Sequence, residues 1–278
     1  MTDTEYAAAP HYDRVTPAWR LLLGEELHYG LFRTGEEDLA EATAQLTARM
    51  AHAARLDAGL AVLDVGCGTG APACAIARDH AVRVVGVTTS QVGVDAATAR
   101  ASAAGLADRV RFAIADGMDN GFAAESFDRV WVLESSHLMP ERDRLVAECA
   151  RVLRPGGRIA LCDIVRRRDL SLLEIRSQLR EFQLLRRVFG QARMETLEAY
   201  RELLSAAGLV VDEMEELTVA TRPTFERWRA NAAANRDTVA ELLGPDDYAA
   251  FVDSTNVLES FWADGTLGYG LIAATKPR

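Results

Sequence analysis

The chain has 278 residues, of which 49% are apolar and 26% charged, and its 31 Lys+Arg against 41 Asp+Glu leave a formal charge of −10. That balance fits a well-packed globule and argues against a phosphate-backbone partner, because nucleic-acid binders present a basic face. No apolar run approaches the roughly 20 residues that span a bilayer, and the opening MTDTEYAAAPHYD is no export signal, so neither membrane nor nucleic acid is expected and a cytoplasmic address is.

In chain order, residues 1–59 read as a helical lid interrupted at Pro17 and Gly24, ahead of a core at 60–278. Strand-like runs follow at Leu60–Val65, Val82–Val87, Val110–Ile114, Arg129–Leu133 and Arg158–Asp163, with helix-length stretches between them. Continuously apolar strands alternating with helices predict a parallel α/β sheet covered on both faces. Two further strands are expected at Leu209–Met214 and Gly268–Ala274. The segments near 165–195 and 222–262 are too long for turns and helical in composition, and are expected to build a cap.

Cys67, Cys74, Cys149 and Cys162 form no CxxC pair, and His11, His28, His52, His80 and His137 show no ligand spacing. Reduced thiols and no bound metal are expected.

The run Ala61-Val-Leu-Asp-Val-Gly-Cys-Gly-Thr-Gly-Ala-Pro72 takes a strand into a glycine-rich turn and then into a helix opened by Pro72. Amides at that helix start suit an anion, and the spacing also satisfies a permissive dinucleotide fingerprint, so NAD is one alternative. Against NAD, the end of the second strand, Gly86-Val-Thr-Thr-Ser-Gln91, offers hydroxyls and an amide where a ribose-binding acid belongs. The acid present is Asp64, two residues before the first glycine, where it would attract an ammonium group and repel a pyrophosphate. Charge therefore favours S-adenosyl-L-methionine.

The run Val62–Gly70 resembles the first motif of class I S-adenosylmethionine-dependent methyltransferases. Further matches fall at Ala115-Asp-Gly-Met118, Phe127–Glu134 and Leu153-Arg-Pro-Gly-Gly157, so the likeness covers about residues 60–165. It implies a Rossmann-like seven-stranded sheet whose last strand is antiparallel. Within the family, Glu134-Ser-Ser-His137-Leu-Met-Pro140 and Leu161-Cys-Asp163 are most similar to bacterial natural-product enzymes acting on sugar hydroxyls and related small molecules, and Tyr12-Asp13 and His28-Tyr29-Gly30 resemble their lid.

The resemblance implies a role for each matching residue. Asp64 and the backbone of Gly66, Cys67, Gly68 and Gly70 would hold the methionine end, and Glu134, through its carbonyl, the amine. Thr88, Ser90 and Gln91 would meet the ribose, Asp116 the adenine amine, and Gly117 and Met118 the ring. Thr88 stands where many class I enzymes carry an acid. His137 and Asp163 match the catalytic pair of the O-methylating members, a base and its orienting acid. Tyr12, Trp19, His28 and Tyr29 are expected to line the pocket for a small-molecule acceptor.

Two alternatives stay open. One is a C-methyltransferase on a prenyl diphosphate or polyketide, with Arg166, Arg167, Arg168, Arg176 and Arg180 facing an anionic tail and Glu174 or Glu181 as base. The other is a non-catalytic module that binds the cofactor.

Overall fold

All seven runs expected to be extended are strands in the computed structural model, which describes residues 8–278. They are β1 (Ala61–Val65), β2 (Arg83–Thr88), β3 (Val110–Ile114), β4 (Phe127–Leu133), β5 (Leu153–Arg166), β6 (Val210–Glu216) and β7 (Leu267–Thr275). β5 is longer than its apolar run. The Arg-Pro-Gly-Gly stretch belongs to it, because Leu153 already pairs with Phe127 before a register shift sets Arg158–Cys162 beside Arg129–Leu133.

The strands form one sheet in the order β3-β2-β1-β4-β5-β7-β6. β1 to β5 run parallel, and β7 lies antiparallel to both β5 and β6. Helices α1 (Ala8–Leu23) and α2 (Leu39–Ala53) precede β1; α3 (Ala71–His80), α4 (Gln91–Ala103) and α5 (Arg142–Val152) connect the parallel strands. After β5 come α6 (Leu172–Ser177), α7 (Leu179–Phe189) and α8 (Leu197–Ala206). Between β6 and β7 lie α9 (Thr218–Thr221), α10 (Thr224–Ala234), α11 (Arg236–Leu243) and α12 (Pro245–Ala263).

Strand side chains alternate between faces, so one sheet feeds two cores. Leu63, Val65, Val130, Val132, Ile159 and Leu161 pack with α5 and α8. Val62, Trp131, Ala160 and Cys162 pack on the opposite side with α2 and α3, continuous with a helical layer built from α1, α7, α10, α11 and α12. The helix after β1 covers one face and the helix after β4 covers the other, which opens a crevice between these neighbours at their carboxyl ends.

The edge strand β6 carries Asp212, Glu213 and Glu215, and Arg158, buried within the sheet, pairs with Asp212 at 2.6 Å and Glu213 at 3.1 Å. Charged edges of this kind discourage pairing with another chain. No helix among the described residues is long and apolar enough to cross a membrane.

Candidate active site

Asp64, Thr88, Asp116, Glu134 and Asp163 come from the carboxyl-terminal parts of β1 to β5 or the turns just beyond them, which places all five along one side of the sheet. Parallel strands do this automatically, since each connection, a helix except between β3 and β4, brings the chain back to start its next strand in the same direction.

The turn after β1 is tied to β2: the amides of Gly66 and Cys67 both donate to the Val87 carbonyl, at 2.8 and 3.0 Å, and that of Gly70 to Cys67 at 2.9 Å. These amides are committed to the fold, whereas among the described residues no backbone hydrogen bond engages the amides of Gly68 and Thr69. Gly66 has φ +82°, and a Cβ there would stand 2.2 Å from that of Ser135. Gly68 differs. Its φ is +52°, but a Cβ would meet nothing within 4 Å, so its small size keeps a space clear where the backbone is exposed to a ligand.

Asp64 opens onto the same turn. It is 3% exposed, accepts no hydrogen bond among the described residues, and burial pushes its carboxyl up to about 7. A desolvated carboxylate without a partner is costly, and an arriving ammonium group would relieve it.

Asp116 is exposed just past β3 and accepts the Met118 amide at 2.9 Å, which fixes one oxygen, and among the described residues no hydrogen bond engages the other. Gly117 is buried against Val65 and Met139, and Met118 packs on the α5-side core. The residues expected at the ribose have internal partners. Thr88 accepts the Ser90 amide at 3.3 Å, Gln91 donates to Asp95 at 2.7 Å, and Ser90 caps α4 by accepting the Gly93 amide at 2.9 Å.

Glu134 sits at φ +48°, an unusual conformation for a side chain with a Cβ. Its carboxylate accepts the Tyr29 amide at 2.8 Å and the Tyr269 hydroxyl, while burial pushes its pKa up to about 7. The side chain thus pins the segment after α1 to the sheet.

Three residues expected to line the pocket, His28, Tyr29 and Trp19, are instead packed in the interior. His28 is buried, with Nδ1 2.7 Å from the Tyr29 carbonyl and Nε2 2.8 Å from Glu26. Both acceptors lack a proton, so the ring donates twice; burial alone would lower its pKa, but the hydrogen bond and charge of Glu26 raise it. Tyr29 is sandwiched by Trp262 at 5.3 Å and Trp228 at 4.7 Å, with no free ring face. Trp19 is buried and meets Phe189 at 5.8 Å. These rings are core, because each could bury its area fully against the helical layer. The Tyr12 side chain lies outside the described residues.

His137 occupies a 3₁₀ turn, Ser136–Leu138, directly beyond Glu134. Its Nδ1 lies 2.6 Å from Asp163 Oδ1 and its amide 3.1 Å from Oδ2. Asp163 also receives the Ile164 amide at 2.8 Å and the Ser136 hydroxyl, and the Ser136 oxygen is 2.7 Å from that of Tyr200. Burial would raise the Asp163 pKa, but the charge and hydrogen bond of His137 and the Ser136 donor outweigh it and hold the carboxyl below its ordinary value. An ionised Asp163 accepts from Nδ1–H, so in the neutral ring the lone pair lies on Nε2. Ser136 and Tyr200 were not expected; Ser136 had only its adjacency to His137 as a signal, and Tyr200 had none, arriving on α8 from 63 positions away.

The arginine run is spent on ion pairs. Arg166 pairs with Asp169, Arg167 with Glu216 at 2.8 Å and Arg168 with Glu174 at 2.6 Å. Glu174 also caps α6 through Ser171, and these donors hold its carboxyl down at about 2. Arg176 and Arg180 are exposed.

A model of the family described as mycolic acid cyclopropane synthetase matches residues 2–258. The chain belongs to that family. Its members are class I methyltransferases, and the protein is accordingly an S-adenosylmethionine-dependent methyltransferase of natural-product type. It is 36% identical over 267 residues to the 27-O-demethylrifamycin SV methyltransferase of Amycolatopsis mediterranei (strain S699), covering 96% of this chain and 95% of that one. Among solved structures it is similar to the 4+2 cyclase SpnF, at 31% identity and TM-score 0.83 over 97% of this chain and 95% of that one. The mycolic acid cyclopropane synthase CmaA1, complexed with SAH and CTAB, shares the fold at TM-score 0.87 and 22% identity, with 97% of each chain covered.

The residues present fit the cofactor. An unpartnered buried carboxylate at Asp64 suits its ammonium, two uncommitted amides suit its carboxylate, and the clear space over Gly68 admits its backbone.

Proposed function

We propose that the protein methylates a hydroxyl of a small natural product, with His137 as general base and Asp163 as the acid that orients it. The observation that carries this reading is the bond between them: Nδ1 is held at 2.6 Å by an ionised carboxylate, and among the described residues no hydrogen bond engages Nε2. The relative named for 27-O-demethylrifamycin SV supports an oxygen acceptor.

The cofactor supplies a methyl group made electrophilic by its sulfonium. Asp64 and the Gly68 and Thr69 amides hold its amino-acid end, Glu134 contributes its carbonyl, and Asp116 with Gly117 and Met118 receive the adenine. An alcohol is a poor nucleophile until its proton is leaving; His137 Nε2 takes that proton, and Asp163 stabilises the resulting imidazolium. Such a base contributes roughly 10²–10⁴ in rate. Residues 8–59 with the helices of 165–195 and 222–262 form the cover that excludes water from the transfer.

Arg166, Arg167 and Arg168 are already neutralised and Glu174 is strongly held as an anion, so a prenyl diphosphate would have to be met by the exposed Arg176 and Arg180, with Glu181 as base. The test is turnover of His137→Ala on hydroxylated macrocycles such as 27-O-demethylrifamycin SV, read as S-adenosylhomocysteine released, with cofactor affinity measured alongside. A fall of about 10²-fold or more at unchanged affinity is expected. Undiminished turnover overturns the assignment.

A further inference from the structure

Ser90 opens α4 beside the end of β2, and its hydroxyl oxygen already accepts the Gly93 amide at 2.9 Å. Its proton goes elsewhere. The acceptor is Oδ1 of Asp13, which reaches it from α1 across 77 positions of sequence, and among the described residues no hydrogen bond engages the second oxygen of Asp13. The other end of α1 is anchored over the same region: Arg20 and Arg100 both bind Glu25, at 2.7 and 2.8 Å, and Arg100 donates to the Thr69 carbonyl in the glycine turn at 3.2 Å. The helix is therefore clamped above both the turn after β1 and the turn after β2.

The turn after β2 is where the ribose diol of the cofactor belongs, and it is short of one group. A vicinal diol presents two donors, which a carboxylate can accept together, yet Thr88-Thr89-Ser90-Gln91 contains no acid. Neutral oxygens in its place are weaker acceptors. We infer that Asp13 is the ribose-binding acid of this protein, carried on α1 instead of on β2, and held in place by Ser90. The assignment rests on the cofactor reading above. Its consequence is that the ribose contact forms only when α1 lies closed over the site, so binding the cofactor and closing the lid are one event. The partial positive charge at the start of α4 further favours a carboxylate there.

The test is calorimetry with S-adenosylhomocysteine and with its analogue lacking both ribose hydroxyls, on the intact protein and on Asp13→Ala, with thermal unfolding to confirm that the variant folds. Asp13→Ala should bind S-adenosylhomocysteine on the order of tenfold more weakly, as expected for a lost charge-assisted hydrogen bond, and should bind the dideoxy analogue as well as the unsubstituted protein does. Asp13→Asn, which keeps one acceptor, should fall between. An equal loss for both ligands would mean that Asp13 only latches the helix, and no loss for either would mean that it has no part in binding; both overturn the inference. If the unsubstituted protein gave no heat with S-adenosylhomocysteine, the cofactor reading itself would fall, and this assignment with it.

Discussion

Asp163 grips His137 twice, through Nδ1 at 2.6 Å and through the backbone amide at 3.1 Å, so one carboxylate sets both the tautomer and the position of the ring. Asp163→Asn keeps the shape but can present an N–H to Nδ1, which favours the wrong tautomer. Turnover should fall by about 10²-fold or more with S-adenosylhomocysteine affinity unchanged, measured by product release and calorimetry. Retention of full turnover would falsify the orienting role.

The Ser136 hydroxyl, backed by Tyr200, donates to the other oxygen of Asp163. Removing it with Ser136→Ala withdraws a donor that favours the ionised acid, so the Asp163 pKa rises. The acidic limb of the pH–rate profile should then move to higher pH, with a several-fold drop in kcat and little change in cofactor affinity. An unmoved limb would leave Ser136 with packing alone.

Asp64 titrates near 7 in the folded chain against an ordinary 3.8. Its folded pKa is raised, so the folded state binds the proton more tightly, and stability falls as pH rises through that window; Glu134, also near 7, acts in the same direction. Asp64→Asn should narrow the stability difference between about pH 5 and about pH 8 in denaturant titrations, while weakening S-adenosylhomocysteine binding roughly tenfold. Binding by the unsubstituted protein near neutral pH should release a proton, visible as a buffer-dependent enthalpy. A variant with the full buffer dependence would point to another group.

The two glycines separate folding from binding. Gly66→Ala places a Cβ 2.2 Å from that of Ser135 and should lower the melting temperature sharply, whereas Gly68→Ala meets only open space and should lose about 1–2 kcal/mol from its left-handed conformation. Gly68→Ala should nonetheless bind S-adenosylhomocysteine poorly, because its methyl enters the cofactor's space. Normal affinity would remove Gly68 from the site.

The Tyr29 hydroxyl is buried with no hydrogen-bond partner. Tyr29→Phe deletes a desolvated polar group, so stability should hold or rise by about 1 kcal/mol, with KM for the acceptor unchanged. A raised KM would return Tyr29 to the substrate pocket.

The order of residues by itself determined the sheet, because long apolar runs have nowhere to go but the interior, and it marked Asp64, the glycine turn and His137 because their chemistry is local to a few positions. The surroundings of the aromatic and basic residues were less legible. Glu26 and Asp169 stand two and three positions from His28 and Arg166, but nothing near Tyr29, Arg167 or Arg168 reveals that Trp262, Glu216 and Glu174 would meet them, since those partners are supplied by other elements or by the cap of a neighbouring helix. For the same reason only the tertiary structure brought Ser136 and Tyr200 to Asp163 and Asp13 to Ser90. A hydrogen bond depends on distance in space, and across a separation of 77 positions that distance is decided by how α1 packs, which no local pattern encodes.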